Sequence, residues 1–394
     1  MKTILITGAG GFLGSRLVRR FSAGTSAAPH FPQTEPDAVS PYRVYPLSGR
    51  APDIRDAAGL LALFRQVRPD YVIHCAAVSD TGRCEREPEF SYSVNVIGAE
   101  NIAIACRASG AKLIFCSSDQ VYFDNVRIAS PVPHRESEKL YPSGVYGRQK
   151  LEAEKRCAAA CPDTVSLRLS WMYDTGKPGP EKHGNLVTTL RGLLDNPDPD
   201  ARLAFPVYDR RSLTDVWDVA INMEAALDLA PGVYNFGSPN PLNTYETAAV
   251  FLSLLRGTSG NGGNSVAGAG GQNSGDLGNG GNSVAGAGGQ NSGDPGNSGN
   301  RAAGAGGQNS GASRNSGSSA AASGQSSGVS GNACNRAAAP SIQNASDPRL
   351  VPDCQRFASC PRNLQMDLEK LSLAGISFPT AQEGFVRSLS RSRP

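Results

Sequence analysis

Two tyrosine–lysine pairs share the spacing Tyr-x-x-x-Lys: Tyr146 with Lys150 in GVYGRQKLEAEKRC, and Tyr173 with Lys177 in YDTGKPGP. The chemistry open to such a pair is proton donation. A nearby ammonium favours phenolate, lowers the phenol pKa and makes it a better acid toward a carbonyl under reduction at neutral pH. Local sequence separates the two pairs. Gly176 and Pro178 interrupt the second, whereas the first runs on into LEAEKRC, a strong helix former in which i and i+4 share one face. Taken alone it would still read as a solvated helix face. A third group comes from FCSSDQVY, which places Ser117 and Ser118 at the C-terminal end of a buried strand, where open parallel sheets bind their ligands. Ser117 reads as a Ser–Asp turn or cap, and Ser118 as the group that polarises the carbonyl.

Hydride chemistry needs a dinucleotide, and TGAGGFLG offers Gly8, Gly11 and Gly14 between a first strand and a first helix. Glycine allows positive φ and close backbone approach to a pyrophosphate, and the helix N-terminus supplies N–H donors. The alternative, a glycine-rich turn without a ligand, fits the strand-turn-helix context less well. An NAD site ends its second strand in an acidic residue; VYPLSGR ends in Ser48, Gly49 and Arg50. Arg50 could pair with a 2'-phosphate, so the reading is NADP(H) preferred with NAD(H) open, against an equal alternative of a solvated arginine.

The elements that must position these residues alternate. KTILIT, YRVYPL, YVIHCAAV, AKLIFCSS and TVSLRLSWMY read as strands, with helical patterns between them. The expected fold class is α/β, a doubly wound parallel sheet of the Rossmann type. Residues 1–171 are expected to form the dinucleotide domain, and 172–256 with 346–394 a smaller substrate lobe. Residues 257–345 are expected to be a disordered insertion. They are nearly all Gly, Ser, Asn, Ala and Gln, with Val266, Val284 and Ala302 recurring at a spacing of eighteen, too few apolar side chains to stack into a solenoid. A Pro-, Ser- and Ala-rich loop is expected over 22–41.

The net charge of +3 and the absence of a long basic run exclude a nucleic-acid footprint, and the short tail RSLSRSRP reads as a frayed terminus. No apolar run is long enough to span a membrane, and MKTILITG lacks the pattern of a secretory signal. Nine cysteines, with Cys75, Cys106 and Cys116 in apolar segments, point to a reducing, cytoplasmic compartment; with four histidines and no paired Cys-x-x-Cys, no metal site is expected.

Taken together, Gly8, Gly11, Gly14, Asp53-Ile54, HCAA, Asn95, Ser118 and Tyr146-x-x-x-Lys150 occur in the order of the extended short-chain dehydrogenases/reductases. Within them the chain resembles the dTDP-4-dehydrorhamnose reductase branch, through RPDYVIHCAAVSDTGRCEREPEFSYSVNV, SSDQVYF, LRLSWMY and RNLQMDLEKLSLAGISFPTAQEGF. The resemblance implies a Tyr146 proton donor, a Lys150 that binds the nicotinamide ribose, and a Ser118 that orients the carbonyl. It implies cofactor contacts along Gly8, Gly11, Phe12, Leu13 and Gly14, and at Asp53, Ile54, Ala76 and Ala77. A sugar nucleotide would meet Ser118, Asp119, Gln120 and Trp171, with Asn95 supporting the geometry. Gln120 replaces the branch's aromatic residue, and Thr81-Gly82 stands where a Val-Asp pair is common; both positions fall where substrate is expected. An epimerase or dehydratase of the same fold, and a non-catalytic subunit like the regulatory subunit of methionine adenosyltransferase, are the alternatives. The resemblance also leaves a homodimer open.

Overall fold

The computed structural model describes residues 1–22, 40–49, 52–123, 132–176, 184–259 and 347–391. Arg50, Lys177, nearly all of the 22–41 loop and most of the 257–345 segment lie outside them. The described parts on either side of that segment belong to one compact unit.

The first half of the chain alternates strand and helix. In order it comprises β1 (Lys2–Thr7), α1 (Phe12–Ser22), β2 (Tyr42–Leu47), α2 (Ala57–Val67), β3 (Tyr71–His74), α3 (Thr81–Arg86) and α4 (Pro88–Tyr92). A π-helical turn (Ser93–Gly98) then leads into α5 (Ala99–Ser109), β4 (Lys112–Ser118), a 3-10 turn (Asp119–Tyr122), α6 (Val145–Ala160) and β5 (Thr164–Leu169). Asp56 caps α2 by accepting the Gly59 N–H, and Gly110, at φ +73, ends α5, the left-handed stop that glycine supplies without a Cβ penalty.

All strands of the central sheet are parallel, in the order β10-β5-β4-β3-β1-β2, with β10 (Gly232–Phe236) at one edge. Successive side chains of a strand point to opposite faces. Ile4 and Ile6 accordingly enter the core under α1 and α8 (Val216–Ala226), with Leu17, Phe21, Val219 and Met223. Leu5 enters the opposite core with Leu60, Phe64, Ile102 and Cys157, from α2, α5 and α6. Strand order reverses between β1 and β3, and a crevice opens outside the C-terminal strand ends at such a point.

The remaining elements are β6 (Trp171–Tyr173), α7 (Leu186–Asp195), β7 (Leu203–Pro206), β8 (Asp209–Arg211), β9 (Leu213–Asp215), α9 (Thr244–Ser259), β11 (Leu350–Asp353), β12 (Arg362–Leu364), α10 (Glu369–Leu373) and α11 (Ala381–Arg391). Leu190, Phe251 and Phe385, from α7, α9 and α11, share a separate apolar core with Tyr173. The Phe251 and Phe385 rings stack with centroids 3.7 Å apart. Two-stranded ladders join β11 to β7, β12 to β8 and β6 to β9.

Three expectations change. TVSLRLSWMY is two strands, because Ser170 turns away to share a 2.6 Å hydrogen bond with Thr214, and β6 then pairs with β9. The sheet is not confined to residues 1–171: β5 has a free edge that β10 completes, and α8 covers α1. The tail RSLSRSRP is not frayed up to Arg391, since Leu389 is buried in the α11 core and Arg387 and Arg391 pair with Asp218. The described cysteines Cys75, Cys106 and Cys116 are free thiols, whereas Cys354 is disulfide-bonded. No helix among the described residues is long and apolar enough to cross a membrane.

Candidate active site

The glycine turn sits at the point of strand reversal. Gly8 has φ +65, and a Cβ there would come within 2.7 Å of the Ala76 nitrogen. The Gly11 N–H donates to the Gly8 carbonyl at 2.8 Å, and a Cβ on Gly14 would collide with that same carbonyl. Only glycines therefore let β1, the loop after β3 and the start of α1 meet. The result is a side-chain-free cradle at the N-terminus of an eleven-residue helix, which suits a pyrophosphate. Phe12 and Leu13 open that helix; the Leu13 side chain is core, which leaves its backbone for any ligand contact. Ala76 donates its N–H to Thr7 Oγ1 at 3.3 Å, and Ala77 follows it at the β3 end.

Ile54 packs on the π-helical turn: a Cβ on Gly98 would lie 2.7 Å from its Cδ1. Asp53 is engaged by Arg55 at 2.7 and 3.0 Å, and these hydrogen bonds hold its carboxyl down at about 2.

Helix α6 carries Tyr146 and Lys150 inward together, at 9 % and 3 % exposure. Its N-terminus has no cap from its own chain segment; Glu85 of α3 accepts the Val145 N–H at 2.8 Å. Gly147 lets the helix lie against the 3-10 turn, because a Cβ there would collide with the Gln120 carbonyl. Lys150 Nζ donates to the Cys116 carbonyl at 2.8 Å and lies 5.9 Å from the Tyr146 ring centroid. Burial pushes the Lys150 ammonium down in pKa.

Burial, reinforced by the Asp119 carboxylate, pushes the Tyr146 phenol well above its ordinary range, while a hydrogen bond with Ser118 acts in the other direction. The direction is opposite to the lowering expected from Lys150, because withdrawal from water dominates.

The serines also exchange part of their roles. Ser117 donates to Glu154 Oε1 at 2.5 Å in the core, away from Tyr146. Ser118 makes the cap, accepting the Gln120 N–H at 3.2 Å, and it is the serine that acts on the Tyr146 phenol. Asp119 is 3 % exposed. Its Oδ1 receives the Ser118 hydroxyl at 3.2 Å and Gln120 Nε2 at 3.3 Å, and its Oδ2 has no partner. A buried acceptor left this way costs about 1–3 kcal/mol.

A cleft of about 210 Å³ opens in front of Tyr146, walled by Thr81, Gly82, Glu85, Gln120 and Arg362. Arg362 is fixed by Asp209 at 2.7 and 2.9 Å. The Arg211 guanidinium lies 5.0 Å over the Trp171 ring. A more open depression of about 310 Å³, lined by Lys2, Asp70, Lys112 and Asp163, is at the N-terminal strand ends, where such sheets do not place their chemistry.

Of the supports of α6, sequence reasoning named Asn95 and missed Arg168. Asn95, on the π-helical turn, donates to Gln149 Oε1 at 2.9 Å and accepts the Val78 N–H at 2.8 Å. Arg168 forks onto Glu154 at 3.0 and 2.8 Å and reaches the Tyr122 hydroxyl at 2.8 Å. No local signal marks the π turn. An arginine inside the buried strand TVSLRL was the one available hint that a buried carboxylate faces it.

A doubly wound parallel sheet with a glycine turn after β1 and Ser118, Tyr146 and Lys150 gathered at its C-terminal edge defines the extended short-chain dehydrogenase/reductase class. Residues 1–265 match the family model of the RmlD substrate binding domain, and the chain belongs to that family. It is 34% identical over 173 residues to the dTDP-4-dehydrorhamnose reductase of Mycobacterium tuberculosis, covering 44% of this chain and 51% of that protein. It is 30% identical over 202 residues to methionine adenosyltransferase 2 subunit beta of Xenopus tropicalis, covering 49% and 57%. The chain spans about half the length of these curated relatives. Its fold is that of a dTDP-4-dehydrorhamnose reductase from Bacillus anthracis solved in complex with NADP, at TM-score 0.64 and 19% identity, covering 100% of both chains.

Proposed function

We propose that the chain is an NADP(H)-dependent reductase of a 4-keto sugar nucleotide. The observation that carries this is the buried Tyr146, one turn from the equally buried Lys150 on α6 and in the wall of a cleft. The Mycobacterium tuberculosis relative and the NADP complex of the Bacillus anthracis neighbour support it.

When bound, the reduced nicotinamide supplies a hydride to C4 of the sugar. Ser118 and Tyr146 hold the carbonyl oxygen, and Tyr146 delivers its proton to that oxygen as charge develops there. Lys150, anchored on the Cys116 carbonyl, stabilises the phenolate left behind and binds the nicotinamide ribose. Gly8, Gly11, Gly14 and the first turn of α1 take the pyrophosphate, with Ile54, Ala76 and Ala77 along the cofactor. The sugar nucleotide is assigned to the cleft, against Asp119, Gln120 and Trp171 and the lobe of 172–256 and 346–394. We place the reaction in the cytoplasm.

Incubation with NADPH and dTDP-4-keto-6-deoxy-L-mannose is expected to show net loss of absorbance at the nicotinamide band. Undiminished turnover in Tyr146→Phe would overturn the assignment of the acid. The likeness to the Xenopus tropicalis subunit keeps one competing reading, a binding module, which predicts tight NADPH binding with no turnover of any keto sugar. An epimerase would turn the sugar over without net NADPH consumption.

A further inference from the structure

Cys75 and Cys116 stand apart from the thiols sealed in the core. Cys106, Cys157 and Cys161 belong to the apolar core shared by α2, α5 and α6, and Cys84 is fully buried on α3. Cys75, directly after β3, is partly exposed, and its Sγ lies 3.5 Å from the Sγ of Cys116 on β4, which is 6 % exposed. Both are free thiols, and neither side chain has a part in the reaction described above.

The sheet sets the pair up. β3 and β4 run parallel with His74 opposite Phe115, so the next position brings Cys75 opposite Cys116. Cys75 still follows the sheet, since its N–H donates to the Thr7 carbonyl at 3.3 Å. Both side chains fall on the face that carries Ile73 and Ile114, as the alternation of a strand requires. Neighbouring strands are about 4.8 Å apart, within the Cα separation that a disulfide accepts. The sulfurs need only close from 3.5 Å to about 2.05 Å.

The two backbones also support the candidate site. The Cys116 carbonyl accepts Lys150 Nζ at 2.8 Å. A Cβ on Gly8 would lie 2.9 Å from the Cys75 carbonyl carbon, so Cys75 packs directly against the glycine cradle. Drawing the two cysteines together therefore displaces the anchor of Lys150 and the wall of the cradle at once.

We propose that Cys75 and Cys116 form an oxidation-sensitive dithiol whose cross-link reversibly switches the enzyme off. The oxidant is a small-molecule disulfide of the glutathione class. Cys75, the more exposed sulfur, attacks it as the thiolate, leaving a mixed disulfide and releasing one small thiol; the Cys116 thiolate then displaces the second. One cross-strand S–S bond forms, the small disulfide is reduced to two thiols, and these take up the two protons that the cysteines give up. The hydrogen bond from Cys116, and then burial, hold the Cys75 thiol well above its ordinary pKa, so exchange is slow and the resting state is the dithiol. The cross-link stands on the fold alone; its effect on turnover rests on the reductase reading.

The test incubates the full chain with excess glutathione disulfide in mildly alkaline buffer and maps cross-links in non-reducing peptide digests. It reads kcat for NADPH oxidation with dTDP-4-keto-6-deoxy-L-mannose, and NADPH binding by fluorescence. The native chain is expected to gain a linked Cys75–Cys116 peptide. In step with it kcat falls by about 10²-fold, the scale of a misplacement of about 1 Å, NADPH binds more weakly, and dithiothreitol restores both. Cys75→Ser is expected to match the native chain before treatment and to keep its activity through it. That variant retains the Cys354 disulfide, so Cys354 does not account for the difference. No linked peptide, or a linked peptide with unchanged kcat, overturns the switch while the reductase reading stands. A reduced chain that turns over no keto sugar overturns the reductase reading instead, and the linked peptide with its change in NADPH binding then decides the switch. If Cys75→Ser fails to fold, the linked peptide and the recovery of the native chain decide.

Discussion

Tyr146 shows how burial decides a residue's chemistry. A lysine at i+4 suggests a lowered phenol pKa, but the side chain is 9 % exposed and faces Asp119, and both facts hold the proton on. An acid that must wait for a carbonyl oxygen to become basic benefits from staying protonated. Removing only the hydroxyl in Tyr146→Phe is expected to lower kcat by about 10²–10⁴-fold, with the Kd for NADPH unchanged by fluorescence titration. Tyr146, Lys150 and Ser118 were legible because helix spacing and a strand end mark them within a few residues. The charge interaction of Asp119 with Arg211 was not, since the two are far apart in the chain and neither has a local signal. Arg50, on which the cofactor expectation leaned, is outside the described residues.

At the scale of elements, two glycines give opposite predictions. Gly147→Ala drives a methyl group into the Gln120 carbonyl, so α6 must shift away from the 3-10 turn. A lower Tm and a reduced kcat are expected together, and an unchanged kcat would show that Tyr146 does not depend on that contact. Gly192 lies exposed inside α7 with open space around its Cβ position. Gly192→Ala is expected to raise stability by about 0.5–1 kcal/mol in chemical denaturation.

Helix α11 was missed because its serine-rich, basic text looks like a tail and its partners, Asp215 and Asp218, lie far back in the chain. Burial, then the Asp218 charge, raises the Asp215 carboxyl to about 7. A carboxyl with a raised folded-state pKa binds its proton more tightly when folded. Its stabilising contribution is therefore complete below about pH 4 and is lost as pH rises to about 7. Asp215→Asn is expected to flatten that part of the pH profile of Tm between pH 4 and 7, judged against the native chain.

At the scale of the molecule, the alternation of strands and helices made the doubly wound sheet legible as far as β5. What followed was harder to read. The edge strand β10 reads like any short apolar run, and its place beside β5 depends on a crossover of some sixty residues, from Leu169 to Gly232. The Glu154–Arg168 pair ties α6 to β5, with side chains at 5 % and 4 % exposure. Glu154→Gln is expected to cost about 3–5 kcal/mol in urea denaturation, the effect of leaving a buried arginine uncompensated.

The proposed function comes down to one transfer, from the dinucleotide to a carbon beside Tyr146. Following deuterium from [4-²H]NADPH, supplied with the label on each face in turn, into dTDP-4-keto-6-deoxy-L-mannose tests it most directly. The account predicts that one face alone delivers its label, to C4 of the product, with transfer slowed by about 10²–10⁴-fold in Tyr146→Phe. Bound NADPH that keeps its label on both faces, with the sugar unchanged, would contradict it.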